Sequence, residues 1–324
     1  MSYPPGSLNQ VSESLGGEVL VRARGLTKKF GGFTAVDGID FDLYRGEAFG
    51  FLGPNGAGKS STMRMIGCVS PPTSGELRIF GTDPVRDGSA IRARLGVVPQ
   101  EDSLDVELTV RENLLVYGRY FGLPRPVIRE RSDRLLDFVQ LADRQNDRVE
   151  PLSGGLKRRL TIARSLINEP EILLLDEPTT GLDPQARHVV LDRLFRLKQQ
   201  GVTLVLTTHY MDEAEQLCDR LVVMDGGRIA AEGSPRDLIE RYSTPEVLEL
   251  RFDPSVHENA AEKLTAVPAQ RREVLADRVL LYVEDGDAAL AAVRELGLDP
   301  LTSLVRRSTL EDVFLRLTGR RLED

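Results

Sequence analysis

One stretch of this sequence combines glycines, a lysine and hydroxyl side chains in the order that phosphate binding requires. Residues 53–61 read GPNGAGKSS, which fits the pattern GxxxxGK[ST]. Glycines let backbone N–H groups turn toward phosphate oxygens, the lysine adds positive charge, and the serine after it can bind Mg²⁺. An apolar run precedes the stretch and a helical pattern follows it. The sequence therefore predicts a nucleoside-phosphate site formed by Gly53, Pro54, Asn55, Gly56, Ala57, Gly58, Lys59, Ser60 and Ser61.

Acidic residues follow a second apolar run, ILLLDEP at 172–178. A strand of this kind places Asp176 at its tip, where the carboxylate can hold Mg²⁺ through water. Glu177 comes next and can orient or deprotonate an attacking water molecule. A third apolar run ends at His209, and the carboxyl ends of strands in an open α/β sheet face the ligand crevice. By itself an acidic pair after a strand is typical of a helix cap, but beside a phosphate loop it indicates hydrolysis.

A further candidate anion site lies in the stretch LSGGLKRR, which begins at residue 152. Ser153 can cap a helix, and the amides of Gly154 and Gly155 lie at the same helix start, where anions bind. The residues alone do not explain why one domain would contain two phosphate-binding stretches so far apart in the chain.

Composition and charge narrow the class of protein. The formal net charge of -8 argues against nucleic acid as the main partner, because phosphate backbones are bound by clustered Lys and Arg. No apolar run approaches the roughly 18–20 residues that span a bilayer. The start of the chain has neither a basic region nor an apolar core, so we expect residues 1–18 to be a flexible tail and not a secretory signal. A role at a membrane would then depend on a partner.

The elements around these stretches predict an α/β fold. Compact apolar strands alternate with helical patterns, which is typical of a parallel sheet buried on both faces. The strands near the start of the chain predict an antiparallel part. A helical block at about 101–150, opened by Thr109 and Glu112 as a capping box, interrupts the alternation. Beyond about residue 241 the pattern changes, and residues 246–324 read strand, helix, strand, strand, helix, strand and a last helix, which is a ferredoxin-like order.

Taken in order, these stretches resemble the ATPase subunits of ABC transporters. GPNGAGKSS, VVPQE, LSGGLKRR, ILLLDEP, GLDP and TTH follow that family's order over about residues 19–241. The resemblance implies a P-loop ATPase domain that binds ATP and Mg²⁺. It also explains the second anion stretch. In the family, the helix after LSGG caps the ATP that is held by the phosphate loop of a second copy, so that two ATP molecules lie within a head-to-tail dimer.

The same resemblance implies a role for each matching residue. Glu177 is the expected catalytic carboxylate and His209 the expected contact of the γ-phosphate. Gln100 in VVPQ is expected to sense Mg²⁺ and water and to link to the membrane partner. Asp183 in GLDP is expected to communicate across the dimer. Magnesium is expected at Ser60, Gln100 and Asp176.

Two positions depart from the family's usual residues. Phe30 stands where the family more often has a Tyr that stacks on adenine, and a phenyl ring keeps the π face that stacking needs. Phe33 is the alternative stacking residue. Leu156 stands where the family commonly has Gln. Ser153 and the amides of Gly154 and Gly155, which together form the expected anion clamp, remain, so we do not infer an inactive site.

A closer likeness is to the exporter branch that includes nodulation-factor and daunorubicin-type exporters. Residues 152–188 and the terminal STLEDVFLRLTGR carry this likeness. It implies a separate ABC-2-type permease, with the subunit held by it at the cytoplasmic face of the cell membrane. The cargo stays open among a drug, a lipid and a lipo-oligosaccharide. Because the ATP site is complete without residues 246–324, we expect that domain to regulate the ATPase or to support its dimer.

Other classes fit the sequence less well. An ABC ATPase of DNA repair would carry a long coiled-coil insertion, and a translation-acting ABC protein would carry two ATPase halves, whereas this chain has one phosphate loop. A kinase or GTPase outside the family would leave LSGG without a role. The importer alternative stays open, and a neighbouring gene for a substrate-binding protein would distinguish it.

Overall fold

The computed structural model describes residues 17–101 and 103–319. These residues divide into two units, and the boundary along the chain lies between Glu232 and Gly233. Nearly all of the predicted tail at 1–18 lies outside the described residues. In the part of the chain that is described, no helix is long and apolar enough to cross a bilayer.

Two sheets organise the first unit. Its strands in chain order are β1 (Val19–Phe30), β2 (Phe33–Tyr44), β3 (Ala48–Leu52), β4 (Ser74–Ile79), β5 (Leu95–Val98), β6 (Ile172–Asp176), β7 (Thr203–Thr208), β8 (Arg220–Asp225) and β9 (Arg228–Gly233). One sheet has the order β2-β1-β4 with antiparallel pairs. The other has the order β5-β6-β7-β3-β8-β9, and its pairs from β5 to β8 are parallel. The predicted parallel core with an antiparallel part is therefore confirmed.

Strand β3 lies in the core because all five of its residues are apolar or glycine and all are buried. Phe49 and Phe51 of this strand contact Phe41 of β2, with ring centroids 6.0 and 5.3 Å away. Aromatic contacts of this kind join the two sheets, since β2 and β3 belong to different ones. The packing fixes the strand whose end leads into the phosphate loop.

The helices of the first unit are α1 (Lys59–Ile66), α2 (Pro84–Ala93), α3 (Val110–Tyr120), α4 (Arg125–Phe138), α5 (Gly154–Ser165), α6 (Pro184–Gln199) and α7 (Met211–Leu217). The predicted helical block corresponds to α3 and α4, which lie between β5 and β6 in the chain and share an apolar core with α5. The predicted capping box is present, because Thr109 Oγ1 accepts from the Glu112 amide and Glu112 Oε2 accepts from the Thr109 amide.

The second unit has the predicted ferredoxin-like topology. Its strands are β10 (Glu246–Arg251), β11 (Arg271–Val274), β12 (Val279–Val283) and β13 (Thr302–Arg307), paired antiparallel in the order β11-β12-β10-β13. Its helices are α8 (Pro235–Tyr242), α9 (His257–Lys263), α10 (Gly286–Glu295) and α11 (Leu310–Thr318). The unit begins earlier than the expected boundary near 241, because α8 packs against α11.

The last helix, α11, has a buried carboxylate in its first turn, Asp312 of the terminal stretch LEDVF. Asp312 is 1% exposed and accepts hydrogen bonds from Arg306 at 2.7 and 3.0 Å, from the Tyr282 hydroxyl at 3.0 Å and from the Thr309 amide at 2.8 Å. Burial acts to raise the pKa of Asp312, but the hydrogen bonds from Arg306 and Thr309 outweigh burial and lower it.

Candidate functional site

The predicted phosphate loop, residues 53–61, runs from the end of β3 into the start of α1. Gly56 and Gly58 have φ angles of 80° and 102°, which residues with a Cβ rarely adopt. A Cβ on Gly58 would lie 2.4 Å from the Ala35 carbonyl oxygen, and one on Gly53 would lie 2.3 Å from the Met224 carbonyl oxygen. The glycines therefore allow the loop to curl while it passes close to neighbouring backbone.

Lys59 lies within this loop and is 4% exposed. Its Nζ donates hydrogen bonds to the carbonyls of Gly53 and Pro54 at 2.7 and 3.0 Å, and lies 3.6 Å from Glu177 Oε1. Burial lowers the pKa of Lys59, and the Glu177 carboxylate opposes that effect. The other loop residues comprise buried Pro54 and Ala57, exposed Asn55 and Gly56, and half-buried Ser60 and Ser61.

Strand β6 ends at Asp176, beside the start of α1. Asp176 Oδ1 accepts hydrogen bonds from Ser60 Oγ at 3.2 Å and from Thr207 Oγ1 at 2.6 Å. Among the described residues, no group of three or more His, Cys, Asp or Glu side chains could hold a metal ion. One carboxylate and one hydroxyl nevertheless suit Mg²⁺, because this ion keeps several waters and takes other ligands from substrate phosphates. The donor set fits a magnesium nucleotide.

Glu177 is the residue on which the other candidate side chains converge. Its Oε2 accepts hydrogen bonds from Gln100 Nε2 at 3.1 Å and from Thr180 Oγ1 at 3.2 Å. Its Oε1 faces Lys59 and lies 3.5 Å from His209 Nδ1. The adjacent His209 lowers the pKa of Glu177 most; burial opposes this effect and the Lys59 ammonium reinforces it. The φ angle of Glu177 is 46°, a left-handed value that marks local backbone strain of the kind found at functional sites.

His209 follows the last residue of β7 and lies beside Glu177. Its Nδ1 is buried and makes no hydrogen bond within the described residues. Its ring packs against Tyr210, with centroids 4.1 Å apart. The side chain is 25% exposed although Nδ1 is buried against Glu177, so other atoms of the ring are open to a ligand.

Ser153 and Asp183 are both helix N-caps. Asp183 Oδ1 accepts from the Ala186 amide at 2.9 Å, and Ser153 Oγ accepts from the Leu156 amide at a long 3.5 Å. Ser153 and Gly154 are exposed at the start of α5. In the described chain, no side-chain hydrogen bond or ion pair joins Ser153 to the phosphate loop.

Gly155 has a packing role that the sequence did not indicate. A Cβ at this position would lie 2.7 Å from the Ala186 Cβ, so glycine allows α5 to approach α6 closely. The sequence interpretation assigned Gly155 to the anion clamp alone.

The candidate adenine contact, Phe30, lies at the end of the β1–β2 hairpin. Phe30 is 52% exposed and pairs in register with Phe33, which is 63% exposed. Lys28 Nζ lies 5.0 Å from the Phe30 ring centroid, and its ammonium donates to the Pro71 carbonyl at 2.7 Å. Phe30 therefore keeps an exposed aromatic surface beside a fixed positive charge.

Two buried charged residues were missed by sequence reasoning. Arg158 donates to backbone carbonyls on both sides of Glu177, and it lies inside the quoted stretch LSGGLKRR. Glu213 is fully buried and accepts from Thr179 Oγ1, from Thr208 Oγ1 at 3.1 Å and from Arg187 Nε at 2.7 Å. A charged residue on a helix gives no sequence signal for such partners, most of which lie far away in the chain.

Comparisons with known proteins identify the family of this chain. The ABC transporter family model matches residues 36–180, and the model for the C-terminal domain of the nodulation factor export protein NodI matches residues 257–319. The Nod factor export ATP-binding protein I of Ralstonia nicotianae is 45% identical to this chain, over 99% of this chain and 98% of its own length. The protein of the same name from Rhizobium johnstonii is 45% identical over 100% of both chains.

Solved structures are also similar to this chain over about two thirds of its length. The structure of cbiO1 from Clostridium perfringens, part of the ABC transporter complex cbiONQ, has a TM-score of 0.64 and 30% identity, over 69% of this chain and 91% of its own. The dimeric post-hydrolysis state of the ATP-binding cassette MJ0796 with ADP and Pi has a TM-score of 0.60 and 29% identity, over 66% of this chain and 98% of its own. This chain thus belongs to the ABC transporter family, as the ATP-hydrolysing subunit of an exporter.

Proposed function

We propose that this subunit hydrolyses MgATP with Glu177 as its catalytic carboxylate and so powers export of a lipo-oligosaccharide. The observation that carries the catalytic assignment is the convergence of Lys59, His209 and Gln100 on one carboxylate. The lowered pKa of Glu177 keeps it deprotonated at neutral pH, as a proton acceptor must be. Gln100 and Thr180 donate to Oε2 at 3.1 and 3.2 Å. The neighbours of Oε1, Lys59 and His209, lie farther away at 3.6 and 3.5 Å, so we assign Oε1 as the oxygen that accepts the proton of the attacking water.

The phosphate loop and Phe30 bind the nucleotide in this proposal. Backbone N–H groups of residues 53–61 surround the phosphates, and Lys59 neutralises their charge. His209 contacts the γ-phosphate in this proposal, since its side chain is 25% exposed beside Glu177. Phe30, half exposed beside Lys28, stacks on adenine.

Ser60 and Gln100 would hold Mg²⁺, together with Asp176 acting through water. When bound, the ion neutralises negative charge on the β- and γ-phosphates. Ser60 Oγ and Asp176 Oδ1 lie 3.2 Å apart, which brings a hydroxyl and a carboxylate to one edge of the parallel sheet. Oxygen donors at such an edge are the ligands that Mg²⁺ prefers.

The ATP site is completed by a second copy of this chain. Ser153, Gly154 and Gly155 form the second anion clamp, and Asp183 communicates across the dimer. The exposure of Ser153 and Gly154 at a helix N-terminus supports an intermolecular role, because N-terminal amides and the helix dipole favour anions. The solved structure of MJ0796 is a dimer with ADP and Pi, which supports the same arrangement here.

A separate ABC-2-type permease is the proposed membrane partner, with this subunit at the cytoplasmic face of the membrane. Relatives at 45% identity over nearly the whole chain are named for Nod factor export, which favours a lipo-oligosaccharide over a drug as cargo. Residues 257–319 match the model for the NodI C-terminal domain, and we propose that the second unit regulates the ATPase or supports its dimer.

Replacement of Glu177 by Gln tests the catalytic assignment. Glutamine keeps the shape but cannot accept the proton, so we expect turnover measured by phosphate release to fall by roughly 10²–10⁴-fold. ATP binding should stay within a few-fold of wild type. Glu47→Gln is the matched control, because Glu47 is also buried but pairs with Arg220 on another part of the fold. Wild-type turnover in Glu177→Gln would remove the proposed role.

The cargo and the permease are tested by purifying the native membrane complex. A co-purified ABC-2-type permease carrying a glycolipid with an oligosaccharide head would support the proposal. A permease with a bound drug-like molecule, or a complex with a substrate-binding protein, would contradict the cargo class or the permease type.

A further inference from the structure

Helix α5 carries residues that belong to two different parts of the proposed site. Its N-terminus carries Ser153, the clamp for the ATP of a second chain, and Arg158 lies five residues further along. At about 1.5 Å of rise per residue, the two positions are separated by roughly 7–8 Å of rigid helix.

Arg158 is 5% exposed and spreads its guanidinium over four backbone carbonyls. It donates to Pro178 at 2.6 Å, to Glu177 at 2.9 Å, to Asp176 at 3.1 Å and to Pro99. Pro99 directly precedes Gln100 in the chain. Arg158 therefore holds the backbone at both residues whose side chains meet in the Gln100–Glu177 hydrogen bond.

A second arginine of α5 holds the other side of Gln100. Arg164 donates to the Ser103 carbonyl at 2.6 Å and to the Ser103 hydroxyl, and its guanidinium lies 4.7 Å from the ring centroid of Tyr117. Helix α5 is therefore hydrogen-bonded to the chain on both sides of Gln100, through Arg158 before it and through Arg164 after it.

The chemistry of arginine suits this task. A guanidinium is planar, always charged and carries five N–H donors in a fixed fork, so it can orient several carbonyls at once. A lysine at the same position would offer a single ammonium on a flexible stem. The left-handed φ of Glu177 makes such support necessary, because a strained backbone persists only where its surroundings hold it.

We propose that Arg158 is a positioning residue that fixes Glu177 and Gln100 to the helix carrying the Ser153 clamp. This inference rests on the proposed function. In the proposed dimer, the start of α5 contacts the ATP that is held by the phosphate loop of the partner chain. Arg158 joins the same helix to the backbone at Glu177, which serves the ATP held by its own chain. Arg158 itself does not touch the nucleotide, so it acts on turnover and not on affinity.

Arg158→Lys and Arg158→Met test the proposal in the full chain. Misplacement of a catalytic group by about 1 Å costs on the order of 10²-fold in rate, so we expect kcat to fall 10- to 100-fold, with KM for ATP within about 3-fold. In the Glu177→Gln background, either variant should still dimerise on addition of ATP, because the clamp and the phosphate loop are unchanged. Amide hydrogen exchange at residues 99–101 and 176–180 should rise.

Arg159→Met is the matched control. Arg159 is the next residue on α5, and its guanidinium donates to the Val139 carbonyl at 3.0 Å, just after α4 in the helical block. Arg159→Met removes the same type of side chain from the same helix but leaves the contacts of Arg158 with the backbone at Glu177 unchanged, so kcat should change less than about 3-fold. If Arg158→Met does not fold, Arg158→Lys alone decides.

Three results would overturn the inference: wild-type kcat in Arg158→Lys, loss of the ATP-driven dimer in parallel with kcat, or an equal fall of kcat in Arg159→Met. Failure of the proposed function looks different. In that case Glu177→Gln itself would turn over ATP at the wild-type rate, whereas a full effect of Glu177→Gln with normal Arg158 variants would reject only the positioning role.

Discussion

Replacement of Ser153 by Arg tests whether the LSGG clamp acts between chains. The Glu177→Gln variant should bind ATP without hydrolysing it and should therefore accumulate as a dimer. We expect Ser153→Arg in that background to abolish the ATP-driven dimer while ATP affinity of the monomer changes little. The phosphate loop around Lys59 is untouched, and in the described chain Ser153 has no side-chain bond to it.

The size of the effect follows from the symmetry of the dimer. The Ser153 hydroxyl is bound within its own helix only by a long 3.5 Å contact, so it is available to a phosphate oxygen. A hydrogen bond to a charged group contributes about 1.5–3 kcal/mol, and a two-fold dimer contains it twice. Loss of both contacts costs about 3–6 kcal/mol, which weakens the dimer by roughly 10²–10⁴-fold. An arginine at a helix N-terminus adds an unfavourable dipole interaction of about 0.3–1 kcal/mol.

Nucleotide fluorescence and light scattering on the same samples measure the two quantities. Thr109→Arg is the matched control, because Thr109 is also an N-cap hydroxyl, accepting from the Glu112 amide at 3.2 Å, but it caps α3 and has no proposed part in the dimer. It should leave the dimer intact. If Ser153→Arg weakened ATP binding by the monomer as severely as Lys59→Ala does, the clamp would act within its own chain, and the two-chain site would be rejected.

Two further predictions concern stability. Gly155→Ala should lower the free energy of unfolding by about 1–3 kcal/mol, because the new Cβ would meet the Ala186 Cβ at 2.7 Å, whereas Gly154→Ala has its nearest neighbour at 4.0 Å and should not destabilise. Urea denaturation of the pair measures the difference, and equal values would contradict the close packing of α5 and α6. Asp312→Ala should cost about 3 kcal/mol, because it leaves Arg306 unpaired. The folded pKa of Asp312 is lowered, so its contribution is complete above the unfolded pKa of about 3.9 and is lost as the pH falls through the folded pKa; a wild-type advantage that persists unchanged at pH 2 would refute this.

The parts of the site that the sequence predicts are those whose requirements are local. Gly58 must adopt φ 102° next to the Ala35 carbonyl, and only glycine does so readily, so the glycine pattern carries the loop's shape. A carboxylate directly after a buried apolar strand must lie at the sheet's edge. The ferredoxin-like order of the second unit was predictable for a similar reason, since the alternation of short strands and helices constrains the pairing.

Tertiary contacts set the limit of sequence reasoning. Arg158 and Arg159 are adjacent and chemically identical, yet one binds carbonyls around Glu177 and the other binds Val139 in the helical block. Their different partners depend on which face of α5 each occupies after packing. Glu213 is similar, because its partners come from the turn after β6 (Thr179), from β7 (Thr208) and from α6 (Arg187).

The two glycines of LSGG illustrate why adjacent identical residues can serve different physical ends. Gly154 is exposed at the first turn of α5, where an absent side chain leaves the backbone amides open to an anion. Gly155 faces α6, where a side chain would force the helices apart. Because Asp183 caps α6 by binding the Ala186 amide, the same close contact fixes the distance between the Ser153 clamp and Asp183. If the proposed clamp binds phosphate, the ligand requires a glycine at 154, whereas the packing of α5 on α6 requires one at 155.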